Sequence, residues 1–125
     1  MRTDTIATLA GILSGIKINK ISDKEVKAGL LKDYLALRKV SKVAEEERNE
    51  IVSKFHEDWG GETPTKEAEK DAEDAIRVIY GRDMDLALEK VKSEPLYDPD
   101  IWADDITLGQ IPGTIDFLVA NGVAE

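Results

Sequence analysis

The chain contains no cysteine, which excludes disulfides and thiolate metal sites and separates it from small secreted disulfide scaffolds. It has one histidine, His56, so no second imidazole is present to complete a zincin-type pair. No long uninterrupted hydrophobic run occurs. The stretch Met1 to Ile16 has apolar residues but no charge before them beyond Arg2, and reads neither as a signal peptide nor as a membrane span. Also missing are a glycine-rich phosphate loop after a strand and a nucleophile elbow. The expectation is a cytoplasmic protein that is not an enzyme, with no cofactor, no metal and no catalytic residues.

What is present is charge. Charged residues make up 34 % of the 125, well above the globular average, which favours a helical, highly solvated single domain. The net charge of −9 argues against general affinity for nucleic acid or anionic membrane. Its distribution is uneven. Between Lys17 and Lys42 eight basic residues face only Asp23, Glu25 and Asp33, whereas from Ser93 onward seven acidic residues meet no basic one. Charge runs usually solvate a surface, yet the basic strip, with Lys20, Lys24, Lys27, Arg38, Lys39 and Lys42, could contact phosphates. Aromatic interleaving there is limited to Tyr34, so nucleic-acid binding is the second reading.

The dominant stretch is Ser22 to Trp59. It opens as a capping box, with Ser22 as N-cap answered by Glu25, and with Ile21 and Val26 as a hydrophobic staple. It closes at Gly60-Gly61, where a left-handed cap costs little. Val26, Leu30, Tyr34, Leu37, Val40, Ala44, Ile51, Phe55 and Trp59 hold one apolar face at three- and four-residue spacing, which Leu31, Leu35, Val43 and Val52 are expected to widen. Six polar residues, Glu45 to Glu50, interrupt it. Glu50 precedes Lys54 by four, the favourable order for a weak surface pair.

Around this helix the chain divides into a helical hairpin over 1–59 and a C-terminal helix and wrap over 63–125. A first helix from Thr3 to Lys17, with Ile6, Leu9, Ile12, Leu13 and Ile16 on one stripe, should fold back on the long one through Ile18 to Ile21. A third helix should start with Thr63 as N-cap and Pro64 at its first position and end at Tyr80-Gly81. Asp83 to Lys92 fits either a strand or a helical turn and is read as a short strand. Pro95, Pro99 and Pro112 exclude a long helix from Ser93 to Gly113, but the segment is too apolar for disorder and should wrap onto the helices. A short helix from Thr114 to Ala120 follows, with Ile115, Leu118 and Val119 inward. The fold class is mainly α: an antiparallel helical hairpin with one long helix, plus a small mixed C-terminal region of short strands or turns.

Two clusters invite a metal or acid–base reading. His56, Glu57 and Asp58 are consecutive, so on a helix they diverge by about 100° each and cannot converge on one ion. Asp98, Asp100, Asp104 and Asp105 suit a hard cation better, but the segment lacks the glycine and distal glutamate of an EF-hand loop, and aspartates commonly form turns. Asp83 and Asp85 could serve as acid and base, but nothing marks a pocket around them.

The run Leu9 to Ile21, then Leu31-Lys32-Asp33-Tyr34-Leu35-Ala36-Leu37-Arg38-Lys39, then Glu46-Glu47-Arg48-Asn49-Glu50-Ile51 to Phe55, resembles small phage- or prophage-encoded helical proteins of unknown function. It also resembles uncharacterised proteins of gut anaerobes. The resemblance implies an assembly or accessory factor of a phage or mobile-element gene cluster and transfers no activity to any residue. A long helix whose stripe exceeds what the first helix can cover implies a partner. The expected partner is a second copy, forming a dimer through Tyr34, Leu37, Ile51, Phe55 and Trp59, or else another protein.

Overall fold

The computed structural model describes residues 1–125. Helix α1 spans Thr3–Ser14 and buries Ile6, Leu9, Ala10 and Leu13, the residues that recur at three- and four-residue spacing. It stops at Gly15 instead of continuing to Lys17. The backbone there pairs across the fold, with Lys17 N–H donating to Ile101 C=O and Ala103 N–H to Gly15 C=O at 2.8 Å. These bonds satisfy groups that another helical turn would have used internally, so tertiary pairing overrides the local pattern.

A tight turn over Ile18–Lys20 leads into α2, Lys24–Trp59. With 36 residues it is about 54 Å long. Its N-cap is Asp23, not Ser22: Asp23 Oδ1 accepts from the N–H groups of Glu25 and Val26 at 3.0 and 3.1 Å. A carboxylate at the positive end of the helix is a stronger acceptor than a hydroxyl one residue earlier. The chain reverses at Gly60-Gly61, and Gly61 takes the left-handed conformation, with φ 82°. Helix α3, Lys66–Gly81, is capped by Thr65, whose Oγ1 accepts from Ala68 N–H at 3.1 Å, so Thr63-Pro64 precede the helix instead of starting it. α1 and α3 each run antiparallel to α2, giving two helical hairpins that share the long helix.

Residues 82–92 form an extended strap. The alternation of Met84, Leu86 and Leu88 does not produce the expected short strand: the segment makes only isolated bridges, Arg2 with Asp83 and Val91 with Ala124, because no neighbouring strand runs beside it. Leu86 and Leu88 lie against the core. Beyond the strap, single turns at Glu94–Tyr97, Pro99–Ile101 and Leu108–Gln110 form the expected wrap. Trp102 anchors it, buried, with its indole N–H donating to Leu96 C=O at 2.7 Å. α4, Ile111–Ala120, begins three residues earlier than Thr114 because Pro112 sits in the first turn, where a missing N–H costs nothing. Ile115 and Leu118 point inward, but Val119 is exposed. Gly122, φ 79°, then turns Val123 and Ala124 into the core beside Val91.

One apolar cluster unites α1, the first half of α2, the strap and the wrap. Leu31, Leu35 and Val43 do not widen the buried face of α2; all three are about half exposed. At 3.6 residues per turn Leu31 and Leu35 point away from Leu30 and Leu37, so they lie on the solvent side.

Candidate functional site

The interface residues expected on α2 fall into two environments. Leu37 is fully buried in the cluster around α1, and Tyr34 is half-buried against the same cluster, so Leu37 belongs to the protomer's own core. Ile51, Phe55 and Trp59 lie on the distal half of α2, where α3 covers them in part, and all three remain half-buried. None of the three belongs to the apolar cluster that the wrap joins.

Between Ala44 and Ile79 no residue is buried. α2 from Glu45 onward, the turn, and α3 up to Val78 thus form a two-helix arm extending from the core. α2 and α3 pack on each other across it, with Ile51, Val52, Phe55 and Trp59 of one and Ala68, Ala72, Ala75 and Ile76 of the other half-buried, a thin contact because alanine buries little area. Val78 on the arm is 65 % exposed. The arm carries twelve acidic against five basic residues over 45–78. Its surface pairs include Lys54 with Asp58 at 3.0 Å in place of the expected Glu50, and Arg77 with Asp74 at 3.1 Å. At its base Arg82 meets Glu47 at 2.9 Å.

Above that ion pair a groove of about 420 Å³ opens between α2, the end of α3 and the strap. Val40, Val43 and Ala44 form one wall, Met84 and Leu86 the other, with Ile79 at the end. Its only charged residues are Lys39, Glu47 and Arg82, and the last two are paired with each other.

Of the basic strip, Lys24, Lys27, Arg38, Lys39 and Lys42 share the solvent face of α2, and Lys20 lies exposed in the turn before it. None of the six is within ion-pair distance of a carboxylate. Leu31 and Leu35 sit in the middle of this face, and Lys39 borders the groove.

Asp33, counted with the surface charges of the basic segment, is 1 % exposed. Its Oδ1 accepts from Glu89 N–H at 2.8 Å, while Oδ2 has no partner. Burial pushes its carboxyl up to about 6. On either side of it the strap is held close. Lys32 Nζ meets Glu89 at 2.8 Å, and a Cβ on Gly29 would stand 2.5 Å from Val91 Cγ1, so only glycine allows this approach. The signal was available, because Asp33 lies on the apolar stripe three residues after Leu30 and four before Leu37.

The remaining clusters do not converge. His56 is exposed, with its ring edge-on to Phe55 at 6.2 Å. Asp98 Oδ1 accepts from Asp100 N–H at 2.9 Å, the turn-forming role, and Asp104 pairs with Lys17 at 3.6 Å. No three histidine or carboxylate side chains are grouped to hold a metal ion. No helix is long and apolar enough to cross a membrane. No protein-family model matches the chain, and no curated protein or solved structure is significantly similar to it.

Proposed function

We propose that this protein is a non-enzymatic interaction protein that self-associates through the distal half of its long helix. The assembly or accessory role in a phage or mobile-element gene cluster rests on the resemblance in helical layout and charge pattern. The supporting observation is the arm: over 45–78 two helices enclose no buried residue, although Ile51, Phe55 and Trp59 offer large apolar side chains. A two-helix pair of this kind leaves much of each apolar stripe wet, and a second copy supplies the missing cover. The groove favours the same reading over an enzyme, because Lys39 is its only charged group without an ionic partner, Glu47 is held by Arg82, and the Thr3 hydroxyl donates to Arg82 C=O. Nucleic-acid binding by the strip is less well supported. Two exposed leucines occupy the centre of the basic face, and Tyr34, its one aromatic neighbour, is half-buried against the core.

Sedimentation velocity over a wide concentration range tests this directly. A dimer is expected at high concentration, and Phe55→Ser with Trp59→Ser should return it to monomer while far-UV circular dichroism retains the helical signal. A wild-type protein that stays monomeric throughout sinks the proposal.

A further inference from the structure

Along α2, Ala36, Lys39, Val40, Val43, Ala44 and Glu47 recur at three- and four-residue spacing, so they form one row along the groove. Val43 on that row and Met84 on the strap are large apolar side chains left exposed, although both line the same concave space of about 420 Å³. That volume falls within the range of small-molecule sites. The polar side chains of the lining are engaged, with one exception. Thr3 Oγ1 donates to Arg82 C=O at 2.9 Å, and Glu47 and Arg82 hold each other at 2.9 Å. Lys39 alone has no carboxylate within ion-pair distance.

A ligand in this groove therefore meets apolar surface and a single free cation. Sugars, nucleotides and peptide backbones carry several polar groups that would lose water there without gaining a partner. The ends of the row also differ in sign. Lys39 and Glu47 stand about 12 Å apart along the helix, so an anionic head is attracted at one end and repelled at the other. We propose that the groove binds an unbranched amphiphile with one anionic head, of the fatty-acid class, its carboxylate at Lys39 and its chain running past Val43 and Met84. A chain of about ten carbons spans the row at the ordinary C–C bond length. The groove lies apart from Ile51, Phe55 and Trp59, so ligand binding and self-association stand or fall separately.

Decanoate is the probe, titrated into the protein below its micelle-forming concentration, with the Met84 methyl group followed by NMR to report position. Wild type should bind it saturably at one site, shift the Met84 resonance, and prefer it to decylammonium. Lys39→Glu should weaken decanoate binding about tenfold or more and reverse that preference, because the contact with the head group changes sign. Val43→Asp should abolish binding of both by placing a charge against the chain. Each substitution is at an exposed position, so the core is left intact. Arg38→Glu makes the same charge change on the opposite side of α2 and should bind decanoate as wild type does. The double variant Phe55→Ser, Trp59→Ser should also bind it normally, which separates this site from the dimer contact. Absence of saturable binding would overturn the inference, as would an unmoved Met84 methyl group or equal affinity for decanoate and decylammonium. A loss in Arg38→Glu as large as in Lys39→Glu would do the same, since it would reduce the effect to general attraction between charges.

Discussion

Asp33 is the residue whose environment departs furthest from its chemistry. One carboxylate oxygen holds the strap through Glu89 N–H, and the other is buried without a partner. Its folded-state value of about 6 lies above that of an unfolded aspartate, so the native state binds the extra proton. The associated stability is present in full below about pH 4 and is lost as pH rises through about 6. A shift of this size corresponds to roughly 3 kcal/mol. Asp33→Asn keeps an acceptor for Glu89 N–H and removes the charge. Chemical denaturation should therefore show it more stable than wild type by roughly 1–2 kcal/mol at pH 8, with the gain vanishing near pH 5. A difference independent of pH would mean that the carboxylate titrates normally. The position of Asp33 on the apolar stripe is legible from spacing alone. Its partner is not, because the donor is a backbone N–H 56 residues away in a segment whose register only tertiary packing decides.

At the scale of the element, the helices follow from local chemistry and their ends depend on which neighbour competes best. The long helix, its glycine stop and its apolar periodicity all read directly from the sequence. The N-cap shifted by one residue because Ser22 and Asp23 both qualify and only the folded backbone selects between them. Asp23→Ala should cost about 1 kcal/mol of stability and Ser22→Ala only a few tenths, measured by urea denaturation. The reverse order would restore the serine capping box. α1 ended early for a related reason. Periodicity extends to Ile16, but residues 15–17 pair with 101–103, and no local signal marks a partner so distant in the chain. Periodicity likewise indicates that α2 has an apolar face but not how wide a strip its neighbours cover. Leu31 and Leu35 fit the spacing of that face and lie outside the strip that is covered.

At the scale of the molecule, cohesion is unequal along its length. The core joins four segments, whereas the arm has two helices and no buried side chain. Local opening free energy follows burial, so amide hydrogens over 45–78 should exchange well before those of 6–13 and 26–37 in dilute protein. Raising the protein concentration should slow exchange in the arm selectively, because association covers it. Uniform protection at all concentrations would mean that the arm is stable alone. The two expected regions, hairpin and wrap, are both present, but the distinction between a well-covered and a poorly covered half of α2 emerges only once the wrap is seen to pack around α1.

The stitching of the strap to distant residues also sets a timetable. Met1 is bonded to Met84 and Val91 to Val123 and Glu125, while Thr3 reaches Arg82 across a separation of 79 residues. At a synthesis rate of roughly 5–20 residues per second, the apolar stripe of α1 leaves the ribosome several seconds before residues 91–124 arrive to enclose it. The early chain can form only the α1–α2 hairpin, with Leu9 and Leu13 partly uncovered, and sealing comes last. Such long-range closure makes for slow folding, and until it is complete the nascent chain carries apolar surface of the kind that promotes aggregation.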